Sequence, residues 1–182
     1  MDESLAALPS LITVEEFREM PDIGEPAYEL HHGEVVAVTR PKKGHSELQH
    51  RFLMLLGPKL QAFGAVRVEF AYRPFPEFDL RAADVAAISH QRFEQVDPED
   101  NLHGAPELVI EVKSPSNTRV QLKEMVSLCL NRGAIQCWIV DPRRKSVTVM
   151  HPDGSALAYT AGEAIPLDVF ESDSLSVDEI FA

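Results

Sequence analysis

The alternation of apolar and polar residues along the chain predicts several short β-strands. In residues 65–72 the apolar side chains Val66, Val68 and Phe70 alternate with polar or small ones, which is typical of a half-buried strand with these three residues on one face. Short apolar runs that suit interior or hairpin strands occur at residues 83–89, 107–112, 135–140, 146–150 and 156–160. The chain therefore carries enough strands for a central sheet.

Helical spacing of apolar residues occurs in two longer segments. Residues 46–63 repeat leucine and phenylalanine at helical intervals, and Gly57-Pro58 predicts a kink or a break within that helix. Residues 118–131 form the second helical pattern, and Gly133 follows it. Capping boxes at residues 13–16 and 176–179 predict the starts of two shorter helices.

Turn residues divide these segments. Gly33 predicts a hairpin between residues 27–30 and 34–39, and Asp153-Gly154 predicts a second hairpin. Residues 90–105 are polar and lack apolar periodicity, so we expect a long loop there, of the kind that is often functional. The mixed order of elements predicts an α/β or α+β fold, a mixed sheet flanked by helices with extra hairpins, in a single domain over residues 1–182.

Composition and charge narrow the class of protein. Hydrophobic residues make up 45% and charged residues 25% of the chain, as in ordinary globular domains. No apolar run is long enough to span a membrane, and the acidic start at residues 1–4 does not resemble a signal peptide. Two cysteines, Cys129 and Cys137, are too few for a disulfide framework, so we expect buried, reduced thiols in a cytoplasmic protein. The net charge of −12 argues against broad non-specific affinity for nucleic acid, although a local basic groove remains compatible with it.

Candidate chemistry is concentrated at the ends of two predicted strands. Asp84 is a single charge within an apolar strand, and Glu111 lies near the end of the next one. Because strand side chains alternate, Glu111 and Lys113 are expected to project to the same side. Two carboxylates on neighbouring strands can bind a hard divalent cation, and a lysine beside them can stabilise charge on a phosphate. On spacing alone, a plain surface ion pair between Glu111 and Lys113 is the more common alternative.

Several blocks occur together in a fixed order: residues 28–34 with Tyr-Glu-Leu-His-His-Gly-Glu, His45, Asp84, residues 106–116, and residues 133–142. In this order they resemble the blocks of the Uma-type restriction endonuclease family, part of the PD-(D/E)XK nuclease superfamily. The resemblance extends over about residues 13–182. It implies a restriction-endonuclease-like core and hydrolysis of DNA phosphodiester bonds that depends on Mg²⁺ or Mn²⁺.

The resemblance also implies roles for individual residues. Asp84 and Glu111 match the two metal-binding acids, and Lys113 matches the lysine of the motif. Glu29 matches an additional acid that assists the metal, so that the expected catalytic set is Asp84, Glu111, Lys113 and Glu29. His45 matches a family histidine, and with its neighbours Lys42 and Lys43 it is a candidate for substrate binding.

Other functions remain open at this stage. The family usually has a lysine and a tyrosine where this chain has Met125 and Cys129, which favours a nucleic-acid-binding or regulatory module that keeps the fold but has lost catalysis. A hydrolase acting on another phosphorylated substrate would use the same metal site. A homodimer is expected because two sites would serve the two strands of a duplex.

Overall fold

A seven-stranded mixed β-sheet lies at the centre of the structure, a computed structural model that describes residues 11–21, 26–115 and 117–182. The acidic start at residues 1–4, and Ser116 at the end of the block of residues 106–116, therefore lie outside the described residues. The strands are β1 (Ala27–His31), β2 (Glu34–Val38), β3 (Gly64–Arg73), β4 (Arg81–Ser89), β5 (Leu102–His103), β6 (Leu108–Val112), β7 (Gln136–Asp141), β8 (Ser146–Met150), β9 (Ala156–Tyr159), β10 (Ala164–Pro166) and β11 (Ser174–Ser176). The central sheet has the order β5-β3-β4-β6-β7-β8-β9, and the pairs β1-β2 and β10-β11 form two small sheets.

The central sheet is mixed, as the sequence predicts. Strands β6 and β7 are parallel and are connected by a helix, and β5 is parallel to β3, whereas the other neighbours are antiparallel. A parallel pair needs a crossover connection, and the helix between β6 and β7 provides it. The helices are α1 (Val14–Arg18), α2 (Lys43–Lys59), α3 (His90–Glu94), α4 (Arg119–Asn131) and α5 (Val177–Ile180), with a short 3-10 helix at Asp168–Phe170.

Two hydrophobic clusters cover the two faces of the central sheet. One contains Phe52 and Leu56 of α2 together with Trp138 of β7. The other contains Cys129 of α4 together with Cys137, which precedes Trp138 in β7 and therefore points to the opposite face. The sheet thus lies between α2 on one side and α4 on the other.

The regular alternation of β3 and β4 breaks near their middle. Val66 and Val85 lie in the cluster on the α2 side, whereas Phe70 and Ala83 pack in the cluster on the α4 side. Since residues two or four positions apart in a regular strand share a face, each strand must change face between these positions. The break includes Glu69, whose φ of 48° is left-handed. The expectation that Val66 and Phe70 share one face is therefore wrong, although the strand itself is confirmed.

Most predicted elements are present, with two corrections. Helix α2 begins at Lys43 and continues through Gly57 and Pro58 to Lys59, so that no break occurs at Gly57. Residues 90–105 are not one long loop, since they contain α3 and β5.

The hairpin β1-β2 joins the central sheet near the start of β4. Leu30 N–H donates to Leu80 O at 3.0 Å, and Leu80 N–H donates to Leu30 O at 2.9 Å. Gly33 closes the hairpin at a φ of 78°, and a Cβ there would lie 2.7 Å from the Leu11 Cβ. Glycine is required at this turn for both reasons.

Within the described residues, no helix is both long and apolar enough to cross a membrane. Cys129 and Cys137 are both buried and free, as the sequence predicts.

Candidate active site

Asp84 is held by three hydrogen-bonding groups from two elements. His45 Nε2 lies 2.7 Å from Asp84 Oδ1, and Gln49 Nε2 donates to the same oxygen at 2.9 Å. Val112 N–H donates to Asp84 Oδ2 at 2.7 Å. Since a carboxylate has about four lone-pair sites, these bonds orient Asp84 and leave it capacity for one further partner.

The fold brings Glu111 next to Asp84. The ladder between β4 and β6 ends with Val85 opposite Ile110, and Asp84 and Glu111 are the residues that follow directly beyond this last pair. Both residues therefore lie at the same end of the ladder, on neighbouring strands. The carboxylate of Asp84 accepts from the β6 backbone at this position, so that it both ends the ladder and stays beside Glu111.

The surroundings of Glu111 disfavour its charge. Burial raises its pKa well above the ordinary value of 4.5, and the nearby carboxylates of Asp84 and Glu29 raise it further. Asp84 and Glu29 are therefore both close enough to Glu111 to act on its charge.

Glu29 reaches this place from the β1-β2 hairpin. Its Oε1 accepts from Ala82 N–H at 3.3 Å, and its Oε2 lies 2.7 Å from His31 Nε2. The contact with Ala82 anchors the carboxylate to β4 two residues before Asp84. Glu29 is therefore held at the site by both its own hairpin and the central sheet.

Lys113 follows directly after β6 and is paired on the far side from β4. Its Nζ donates to Asp141 Oδ2 at 3.2 Å, and 42% of the side chain is exposed. Burial alone would raise the pKa of Asp141, but Lys113 and the backbone amides of Arg144 and Arg143 outweigh it and lower the pKa. Among the described residues, no hydrogen bond or ion pair links Lys113 to Asp84 or Glu111.

The candidate substrate-binding residues differ in their surroundings. His45 is bonded to Asp84, and this bond, against the effect of burial, raises the pKa of the imidazole. Lys42 caps the start of α2 without a side-chain bond to the helix, and Lys43 Nζ lies 3.5 Å from Glu47 in a largely exposed pair. The two lysines thus lie at the rim, one turn of helix or less from His45.

Sequence reasoning missed Gln49 and Glu69 as members of the site. Gln49 is four residues after His45 and so shares its helix face, which is a pattern that could have identified it. Glu69 is opposite Asp84 in the β3-β4 register, between the pairs Val68–Val85 and Phe70–Ala83. That register cannot be read from the sequence alone.

The helix α4 contributes packing on the other face of the sheet. Cys129 Sγ lies 3.2 Å from Tyr72 Oη and 3.8 Å from Met125 Sδ, within the cluster on that side. Met125 and Cys129 therefore serve the core at the two positions where the family usually has a lysine and a tyrosine.

The donor set fits a hard cation. In the part of the chain that the structure describes, no group of three or more His, Cys, Asp or Glu side chains is arranged to hold a metal ion. Mg²⁺ does not need such a group, because it is usually bound by one or two carboxylates together with water and substrate phosphate. Asp84 and Glu111 supply two carboxylates whose mutual repulsion a cation would relieve.

The architecture, a mixed central sheet flanked by helices, is that of the class of restriction-endonuclease-like proteins. Residues 14–178 match the Uma2 family, described as "Putative restriction endonuclease", and the chain therefore belongs to that family. The fold is similar to that of a crystal structure from Anabaena variabilis, described as "a putative nuclease belonging to DUF820", with 22% sequence identity and a TM-score of 0.77. The similarity covers 93% of this chain and 97% of the other. No curated protein matches the chain.

Proposed function

We propose that this protein is a nuclease that hydrolyses phosphodiester bonds of DNA with Mg²⁺ or Mn²⁺. The observation that carries the proposal is the position of Asp84 and Glu111 on neighbouring strands, just beyond the last pair of the β4-β6 ladder. Membership of the Uma2 family supports it. The buried, reduced cysteines agree with action in the cytoplasm, and a homodimer would present two sites to a duplex.

Asp84 and Glu111 would hold the cation, with Glu29 beside them. A bound Mg²⁺ or Mn²⁺ would polarise a phosphoryl oxygen and lower the pKa of the attacking water. His45 and Gln49 keep the Asp84 carboxylate in one orientation through its Oδ1. The partial burial of Glu111 lowers the local dielectric, which strengthens every charge interaction at the site.

Lys113 provides positive charge at the end of β6. Its ammonium group donates to Asp141, which holds it beside the strand end. A phosphate at the site would compete with Asp141 for this ammonium group. Lys113 would then orient the attacking water and stabilise the negative charge that develops on the phosphate.

A binding module without catalysis is the second candidate, and the Lys113–Asp141 pair favours it because that lysine is already neutralised. Incubation with supercoiled plasmid, linear duplex and single-stranded DNA, with Mg²⁺, Mn²⁺ or a chelator, separates the two. The wild type should cut at least one substrate only with metal. Lys113→Ala should lower the rate by about 100-fold, as does removal of one preorganised donor, and Asp84→Asn should cut nothing.

Lys59→Ala is the matched control. This substitution removes the same charge, but at the last residue of α2, the opposite end of the helix from His45. It should cut like the wild type. Equal, faint cleavage by the wild type, Lys113→Ala and Asp84→Asn would indicate a contaminant, and the binding module would then be the correct function.

A further inference from the structure

Glu69 has an unusual backbone for its place in the fold. Four non-glycine residues in the described chain have a positive φ, and three of them, His32, Lys145 and Glu171, lie in turns. Glu69 instead lies within β3, with a φ of 48°. A left-handed conformation costs a residue with a side chain free energy that glycine avoids. The contacts of the Glu69 side chain offer an explanation for a glutamate at this position.

The side chain of Glu69 contacts Gln49. Gln49 Nε2 donates to Glu69 Oε1 and also, at 2.9 Å, to Asp84 Oδ1. An ionised carboxylate only accepts hydrogen bonds. The NH₂ group of Gln49, and not its carbonyl oxygen, must therefore face both Glu69 and Asp84. Glu69 thereby determines which end of the Gln49 amide faces Asp84.

The surroundings leave Gln49 few alternatives. Gln49 is 4% exposed, within the α2 face that packs on the sheet. Rotation of its amide by 180° would place the carbonyl oxygen against the Asp84 carboxylate, which is repulsive. The acceptor at Glu69 opposes this rotation, and the left-handed backbone places that acceptor opposite Asp84.

We propose that Glu69 and Gln49 are positioning residues that hold the Asp84 carboxylate in the orientation that the cation requires. This inference rests on the proposed function, because it assumes that Asp84 binds a cation. The chain of contacts runs from Glu69 through the Gln49 amide to Asp84 Oδ1, and from Asp84 Oδ2 to the backbone N–H of Val112. The strained backbone of Glu69 is retained because it completes this chain.

The Val112 amide provides a readout in the metal-free protein. Its hydrogen exchange, measured by NMR relative to the neighbouring amides of β6, reports whether Asp84 Oδ2 stays in place. Glu69→Gly and Gln49→Leu should each raise the exchange rate of Val112 by about tenfold, the effect of weakening one charge-assisted hydrogen bond. Glu69→Gln keeps an acceptor oxygen at the same distance and should retain the protection seen in the wild type.

Glu171→Gly is the matched control. It removes the same charge and replaces a left-handed residue with a φ of 57°, but in an exposed turn outside the site. It should leave Val112 exchange unchanged. A uniform rise across β6 in Glu69→Gly would indicate general destabilisation and would overturn the proposal, as would Val112 exchange equal to that of the wild type.

Metal affinity provides the second readout. Calorimetric titration with Mn²⁺ should show affinity about tenfold lower for Glu69→Gly and Gln49→Leu, as is usual when a partner of a metal ligand is removed. Unchanged affinity in both variants would contradict the proposal. If the wild type bound no Mn²⁺, the proposed function would fail, and the Val112 amide would still decide the positioning role by itself.

Discussion

Glu111 is a carboxylate that the fold keeps partly buried beside Asp84 and Glu29. Its pKa is raised by burial first and by these two carboxylates second. A carboxyl group whose ionised form is disfavoured in the folded state lowers the stability of the free protein. A bound cation would stabilise the ionised form of Glu111. The burial that destabilises the free protein is therefore the same feature that would favour cation binding.

We predict that Glu111→Gln stabilises the free protein at neutral pH and abolishes cleavage. The amide keeps the shape of the side chain and cannot ionise, so the unfolded chain no longer gains from releasing a proton at neutral pH, and the free energy of unfolding should rise by about 1–3 kcal/mol. Urea unfolding in chelator measures the change. A less stable variant would show that the Glu111 charge has a stabilising partner.

The difference in stability between Glu111→Gln and the wild type should increase as the pH rises. Below the ordinary value of 4.5 Glu111 is protonated in both the folded and the unfolded chain, so it contributes no difference. As the pH rises above 4.5, the unfolded chain releases its proton while the folded chain keeps it up to its higher pKa, and the wild type loses stability. The advantage of Glu111→Gln should therefore be absent at pH 4, grow as the pH rises, and level off above the folded pKa.

The hairpin β1-β2 is fastened to the sheet and to α4 by a cluster of charges. Arg81 Nε donates to Asp79 Oδ1 at 2.9 Å, and its guanidinium also donates to Glu124 of α4. Asp79 is fully buried, and His32 of the hairpin turn donates its backbone N–H to it at 3.1 Å. The element that carries Glu29 therefore depends on Arg81 for its attachment.

Arg81→Leu should destabilise the protein by about 3–5 kcal/mol, because it leaves the buried Asp79 charge without its main partner. Guanidinium unfolding measures the loss. Arg143→Ala serves as the control, since Arg143 is exposed in a turn, and it should change stability by about 0.5 kcal/mol or less. A loss below about 1 kcal/mol for Arg81→Leu would mean that His32 alone compensates Asp79.

Local patterns predicted most elements because the information lies within a few residues of each. The capping box of Thr118 and Gln121 starts α4 where expected, and Gly154 closes the predicted hairpin. The face change in β3 and β4 could not be predicted, since it lies where the ladder between these strands is interrupted at Glu69 and Asp84 and Glu69 has a left-handed φ. Asp84 could be singled out as a lone charge in an apolar strand, and the spacing from His45 could have pointed to Gln49, whereas the place of Glu69 depends on contacts between strands.

The acidic character of the whole chain limits how it can bind DNA. With 29 acidic and 17 basic residues, the long-range field repels phosphate, and binding must rely on local groups. The converging acids at Asp84 and Glu111 would repel DNA further until a cation neutralises them. Metal binding and DNA binding are therefore expected to be coupled.

Mn²⁺ should raise the melting temperature of the wild type by mass action, because only the folded site brings Asp84 and Glu111 together. At 100 times the dissociation constant the gain is about 2.7 kcal/mol. The double variant Asp84→Asn with Glu111→Gln should show no rise on addition of Mn²⁺, whatever its starting melting temperature. A rise equal to that of the wild type would place the metal elsewhere in the molecule.

DNA binding should weaken only slightly with added salt. Each phosphate that a protein neutralises contributes about 0.9 to the slope of log affinity against log salt, and an acidic protein can make few such contacts. We expect a slope magnitude below about 3 for the Lys113→Ala variant in Mn²⁺, and very weak binding in chelator. Lys42→Ala with Lys43→Ala, at the start of α2 beside His45, should lower the slope by up to about 2. Binding in chelator that falls steeply with salt would contradict this prediction, because it would require an extended basic groove that overcomes the net charge of −12.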